Sequence, residues 1–281
     1  MARNLWIGKP GLLREYAQAA RSWDRSAELS VSEFKSVEGR ITTFAPRHTT
    51  RRLKLSWDLL PPDDAQHLVR LARRINGPGM QGSAATAYGP VALIDPASVN
   101  LLDPYQAAGQ SADANGLDHW FTVQGSITIS AFIGDTVLGD CQDVNTAIGW
   151  RHGFWPGWPV MPGMQVSWLL PPDWTDSTAT AQLDWKDIDG DYLSSSTAQA
   201  GSVTGVAPGG AAFVTPVGRP GALGMTGFAG ACLTLGEPPA AFAIGEGCPA
   251  YSVTSYSDVP ANPLPYRSIG IDLVEVASAV L

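Results

Sequence analysis

In RRLKLSWDLL, residues 51–60, Arg52, Lys54, Ser56 and Asp58 alternate with Leu53, Leu55, Trp57 and Leu59. That is the period of a strand with one buried face. The period then changes. Leu68, Leu71, Ala72 and Ile75 fall on one helical face, after Pro61 and Pro62, which suit a first helical turn, and Asp63 and Asp64, which suit its positive end. Arg73 and Arg74 sit at the negative end, and Asn76-Gly77 supplies a left-handed stop. The pattern predicts a strand followed by one helix that covers a sheet. NLWIG and RITTFAP read as further strands, whereas LLREYAQAARSW, within residues 12–30, is compatible with a short helix or an irregular arm.

From Ala92 onward the texture is all-β. HWFTVQGSITISAFIG, QVSWLLP, TATAQLDWKD, DYLSSSTAQAG, AAFVTPVG and GFAGACLTLG are short alternating or β-branched runs separated by Gly, Pro and Asp. Strands at that spacing predict a sandwich or jelly roll. The C-terminal YRSIGIDLVEV is one more strand, closer in charge and alternation to residues 51–59 than to the acidic middle. The chain is therefore expected to leave a first domain, build a second, and return. The connector NGPGMQGSAATAYGP contains G-x-G-x-x-G at Gly77, Gly79 and Gly82. Dinucleotide binding needs those glycines between a strand and the start of a helix, and here they follow a helix, so no nucleotide site is expected.

Composition sharpens this picture. The 281 residues are 44% hydrophobic and 16% charged, which suits a chain that folds around a core. With no apolar run of about 18 residues and no secretory core in MARNLWIGKPGLL, neither membrane insertion nor export is expected. Cys141, Cys232 and Cys248 are too sparse for a disulfide framework and read as buried thiols of a protein made in a reducing cytoplasm. Residues 1–75 hold 14 Lys+Arg and 8 Asp+Glu, net +6, leaving 4 and 18, net −14, for residues 76–281. Two parts of opposite sign offer complementary faces in a self-assembling protein. The arginines of the basic part are scattered through apolar segments without a stacking platform, so no nucleic-acid partner is expected.

The candidate chemistry centres on tryptophan. Seven of ten lie between Trp120 and Trp185, and four of them fall in GWRHGFWPGWPVMPGMQVSW, residues 149–168. Indole faces stack on sugar rings, but they also fill sandwich cores. Trp168 and Trp185 stand in strand context and read as core. Trp155 and Trp158, in F-W-P-G-W-P, and Trp120 are the carbohydrate-contact candidates. Pro156, Gly157 and Pro159 favour a tight turn that presses at least one of the loop indoles onto the strands as a plug. In DWKDIDGDY, Asp187, Asp189 and Asp191 match three positions of a calcium loop, but Trp185 and Ser196 stand where two carboxylates are needed. A hairpin turn is the better reading, and no metal is expected. His48, His67, His119 and His152 have no zinc spacing, and the pairs Asp140 with Asp143 and Asp173 with Asp176 show no readable separation. No catalytic residue, cofactor or enzymatic activity is expected.

Taken in order, RRLKLSWDLLPPDDAQHLVRLARR, YGPVALIDPASVNLLDPYQAA, GFWPGWPVMPGMQVSW, LDWKDIDGDYLSSSTA and YRSIGIDLVEV resemble the minor tail proteins of siphophages, especially those infecting actinobacteria. The resemblance implies a mainly β protein. Residues 1–92 and 245–281 would form a domain similar to the distal tail protein, with one covering helix, and residues 93–244 an inserted β-sandwich of the carbohydrate-binding-module type. It also implies assembly with other copies of itself into a ring, a hexamer first, beneath the tail tube. The remaining implied partners are the tail tube, other tail-tip proteins and host cell-wall glycan, with the virion tail tip as location. A free carbohydrate-binding protein is the rival reading.

Overall fold

The structure, a computed structural model, describes residues 4–17, 20–28, 31–44, 50–75, 90–111, 116, 118–131, 136–174, 178–238 and 242–276. The fold is mainly β. The connector that carries Gly77, Gly79 and Gly82, and also Asn76, His48 and Asp176, lie outside the described residues.

The N-terminal strands are β1 (Leu5–Lys9), β2 (Leu12–Tyr16), β3 (Ser22–Glu28), β4 (Ser32–Lys35), β5 (Ile41–Phe44) and β6 (Thr50–Leu60), followed by helix α1 (Pro62–Ala72) and β7 (Val91–Ile94). The last two strands are β21 (Ala250–Pro260) and β22 (Arg267–Glu275). They join the N-terminal ones in a seven-stranded sheet of order β2-β1-β7-β21-β22-β6-β3, antiparallel throughout. One face is covered by α1, whose Ala65, Leu68 and Leu71 pack on Leu53, Leu55, Trp57 and Leu60 of β6 and on Ile269, Ile271 and Leu273 of β22. Burying that apolar stripe, rather than helix propensity, is what holds an 11-residue helix in place.

Three expectations change here. Residues 12–16 are a strand, neither helix nor arm. Gly11, at φ 73, closes a two-residue turn that lays Leu12–Tyr16 back along β1, and sheet pairing overrides a weak propensity. The alternation of β6 breaks at Leu59, which adopts φ 58. This bulge turns Leu60 inward and leaves Leu59 44% exposed. Finally, the helix stops earlier than Asn76-Gly77. Arg74 takes the left-handed position at φ 56, with Arg74 N–H donating to Leu71 O at 3.1 Å and Ile75 N–H to Arg70 O at 2.9 Å. That is a Schellman stop, and it leaves Ile75 45% exposed rather than on the core face.

The middle of the chain begins with a helical turn, α2 (Pro104–Ala107), and then builds a sandwich. Its strands are β8 (Trp120–Gln124), β9 (Ile127–Ala131), β10 (Val137–Cys141), β11 (Ala147–Trp150), β12 (Trp158–Pro159), β13 (Gln165–Leu169) and β14 (Thr180–Lys186). There follow β15 (Tyr192–Ser195), β16 (Gln199–Ala200), β17 (Ser202–Val206), β18 (Phe213–Arg219), β19 (Gly224–Gly227) and β20 (Cys232–Leu235). One layer runs β15-β14-β18-β11-β8, with β12 added to β18 and β16 to β14; facing it are β17-β13-β20 and β19-β10-β9. Period-2 burial is clear on β14, where Ala181, Leu183 and Trp185 point inward. Trp150 meets Trp168 edge-on at 4.7 Å between the layers, and Trp168 and Trp185 are both buried, as their strand context predicts.

Leu13, Ala92, Ile94, Cys248 and Ala250 belong to the same buried cluster as the sandwich tryptophans. The first sheet therefore carries α1 on one face and meets the sandwich core on the other. Asn100, in the segment that leaves β7, ties that segment to the sandwich from within. Its amide donates to Ala231 O and Ala243 O at 3.0 Å each, and its Oδ1 accepts from Leu102 N–H and Leu233 N–H at 3.1 Å each.

Candidate functional site

The tryptophan loop, residues 149–168, packs around a buried histidine. His152 Nδ1 accepts the backbone N–H of Phe154 at 3.0 Å and of Trp155 at 3.1 Å. An imidazole nitrogen that accepts carries no proton, so Nε2 holds it and donates to Cys248 O at 2.9 Å. Burial drives the pKa of His152 down to about 4, against the opposing pull of the Cys248 carbonyl and Asp103. A neutral ring thus pins the loop to the segment that leads into β21. The rings of Trp155 and Trp158 lie 5.0 Å and 5.4 Å from it.

Each sugar-contact candidate is buried. Trp158 is 2% exposed, its indole N–H donates to Leu101 O at 2.7 Å, and its backbone pairs with Val214 of β18. Trp155 is 8% and Trp120 0% exposed, and Trp120 leans on Phe228 at 4.8 Å. A stacking platform must offer an indole face to the ligand. Trp120, Trp155 and Trp158, named above as carbohydrate-contact candidates, lie inside the sandwich and plug it. Gly157 makes the plug possible, since a Cβ there would stand 2.6 Å from Val214 O.

The acidic stretch is a turn. Asp187 Oδ1 accepts from Asp189 N–H at 3.0 Å and Asp191 N–H at 2.9 Å, Gly190 takes φ 88, and Asp187 N–H bonds Asp191 O across the β14–β15 connection. That arrangement is a side chain organising its own backbone, as aspartate does in turns. Among the described residues no group of three or more His, Cys, Asp or Glu side chains is placed to hold a metal ion. Cys141, Cys232 and Cys248 are buried free thiols, and burial pushes the Cys248 thiol up to about 12, which keeps it protonated and inert. No helix among the described residues is long and apolar enough to cross a membrane.

The sequence reading missed two features. The first is the role of His152, whose only signal was a histidine at the head of a proline-locked aromatic loop. The second is the hairpin β4–β5, in which every strand residue is exposed. Phe34 and Phe44 sit on one face of it at 62% and 65% exposure, and Ile41, on the other, is 63% exposed. RITTFAP reads as a strand, but its sequence does not show that it pairs with residues 32–35 or that the apolar residues of the hairpin stay uncovered.

No protein-family model and no curated protein matches this chain. Among solved structures, it is similar to the enzymatically active domain of tailspike protein 4 of bacteriophage CBA120, at 14% identity, covering 49% of this chain and 21% of that one, with a TM-score of 0.31. The chain thus spans about a fifth of that protein's length, and a likeness at this score carries no argument about function.

Proposed function

We propose that this chain is a non-enzymatic structural subunit of a siphophage tail tip, assembling with copies of itself at the distal end of the tail tube and linking it to host-recognition components. In this reading residues 1–92 and 245–281 form the assembly domain and 93–244 an outward sandwich. The observation that carries it is the β4–β5 hairpin. Aromatic side chains on a two-stranded arm, with no cover from the described part of their own chain, are the expected mark of a surface buried against another protein. The order of five sequence stretches and the opposite charges of the two parts support the same reading.

Sedimentation of the purified chain, alone at high concentration and with tail partners, tests it. A closed multimer is expected, and a strict monomer in both conditions overturns the assignment. The monomer is what a free carbohydrate-binding protein predicts.

A further inference from the structure

We infer that the cleft between the β1–β2 hairpin and the end of the sandwich where β13 begins and β20 ends is a binding site for an organic cation, an ammonium or guanidinium group on an apolar stem. The inference goes beyond the tail-tip reading and stands whether or not the chain forms a multimer. The cleft has a volume of about 420 Å³, within the range of small-ligand pockets. Trp6 and Glu15 form one wall. They are direct cross-strand partners on β1 and β2, so their side chains stand side by side on one face of the sheet. Trp6 is half-buried against the sandwich cluster, whereas Glu15 is exposed. Met161, Pro162, Met164 and Leu235 form the facing wall.

Hydrogen bonds from backbone N–H groups hold both walls. Gly11 N–H, in the β1–β2 turn, donates to Val160 O at 3.0 Å and ties that hairpin to the segment opposite. Within the segment Met164 N–H donates to Met161 O at 3.1 Å, Met161 N–H to Met164 Sδ at 3.2 Å, and Gly163 N–H to Ala207 O at 2.9 Å. Gly236 N–H donates to Gln165 O at 2.8 Å, which joins the end of β20 to the start of β13. A cleft built in this way exists before a ligand arrives, and binding loses little entropy to ordering its walls.

The lining selects a ligand class. Glu15 Oε1 accepts from Asn4 Nδ2 at 2.8 Å, and its Oε2 accepts no hydrogen bond among the described residues. Gln165, which also lines the cleft, donates through Nε2 to Glu237 Oε1 at 3.2 Å and so sets a second carboxylate at the rim. Among the described residues no Lys, Arg or His side chain lines the cleft. Its charge is therefore negative, which disfavours a phosphate or carboxylate. A hard metal ion needs several oxygen ligands, and here one lining carboxylate stands among thioethers. An indole draws a cation toward its ring, while Met161, Met164 and Leu235 suit an apolar stem. Beside such apolar walls the attraction between Glu15 and a cation is screened less than on an open surface.

The test is an amide-resolved NMR titration of the whole chain with choline, acetyl-lysine methylamide and acetyl-arginine methylamide, with neohexanol, the uncharged isostere of choline, and butyrate as comparators. At least one cation should bind with a dissociation constant on the order of 1 mM and shift the indole N–H of Trp6 and the amides of Glu15 and Met164. Neohexanol and butyrate should bind about tenfold more weakly or not at all. Glu15→Gln keeps the shape of the side chain and an acceptor for Asn4, and should weaken cation binding about tenfold. Glu15 is exposed, so melting should not move. Asp189→Asn, which removes the same charge from an exposed turn outside the lining, should bind as the parent does. Preference for choline identifies a compact quaternary head as the occupant, and preference for the amino-acid derivatives a basic side chain; either supports the site. The inference is overturned if no cation of the panel shifts these signals at about 50 mM, if neohexanol binds as tightly as the best cation, or if affinity survives Glu15→Gln.

Discussion

The Nε2 proton of His152 rests on the carbonyl oxygen of Cys248, 2.9 Å away and 96 positions along the chain. A second ring, the half-buried His67 on α1, meets the hydroxyl of Tyr16 of β2 through a 2.6 Å contact at Nδ1. His152 makes these contacts only while neutral, because its Nδ1 accepts two backbone N–H groups, and neither ring has a carboxylate at bonding distance among the described residues.

The pH dependence of folding follows. Burial brings both histidines down to about 4 from 6.5, helped at His67 by Arg14 and Arg70. Between those values the unfolded chain binds more protons than the folded one. Stability is therefore full above about pH 6.5 and falls as the pH drops toward 4, by roughly 1.4 kcal/mol per pH unit for each histidine. Urea titrations from pH 7.5 to 4.5 should show a falling midpoint. His67→Gln should reduce the slope by about one proton; an unchanged slope would show that His67 does not titrate in this way.

Trp158→Ala should cost about 3–5 kcal/mol, as large-to-small core replacements do. It also strips Leu101 O of its 2.7 Å donor. Trp155→Ala, with its indole 8% exposed, should fall in the same class. Denaturant melts measure both. A change within about 0.5 kcal/mol would mean that the loop lies on the surface.

At the β14–β15 turn, Asp187→Ala should cost about 1–2 kcal/mol because two backbone N–H groups lose their acceptor. Asp187→Asn keeps an acceptor oxygen and should stay closer to the parent. Melts with and without added calcium should coincide; a rise with calcium that Asp187→Asn abolishes would restore the metal reading.

Phe34→Ser with Phe44→Ser should dissolve the proposed multimer and leave the melting of the monomer unchanged. Both rings are more than three-fifths exposed and belong to no buried cluster among the described residues. Retention of the multimer on sedimentation would place the interface elsewhere.

Excision of residues 96–247 should leave a folded sheet with α1. β7 leaves the sheet and β21 enters it as antiparallel neighbours, with Ala92 opposite Ala250, so a short linker can bridge the ends. Leu13, Ala92 and Ile94 lose their cover in that variant, and it should be less soluble than the parent. Unfolding measured by circular dichroism would show that the two parts of the chain fold only as one.

The sequence by itself determined those features whose causes are local. The alternation from Arg52 to Trp57 specified β6 and its buried face, the prolines and aspartates at 61–64 specified where α1 begins, and Asp187 with Gly190 specified a turn. Each signal acts through neighbouring backbone, so a short window contains it. The tertiary structure decided the rest. Residues 12–16 became a strand because Gly11 delivers them to β1, and the pairing energy of a sheet does not appear in helix propensity. Leu60 rather than Leu59 faces α1 because a bulge resets the phase, as needed to enter the helix. The tryptophans of the loop are equally apolar on a surface or in a core; His152, reaching Cys248, and Gly157, closing on Val214, press them inward. Trp6, Glu15 and Met164 share no pattern in the sequence, and only the pairing of β1 with β2 and the approach of the segment before β13 gather them around one cleft. Contacts between residues far apart in the chain set these outcomes, and side-chain chemistry alone does not specify which partner will arrive.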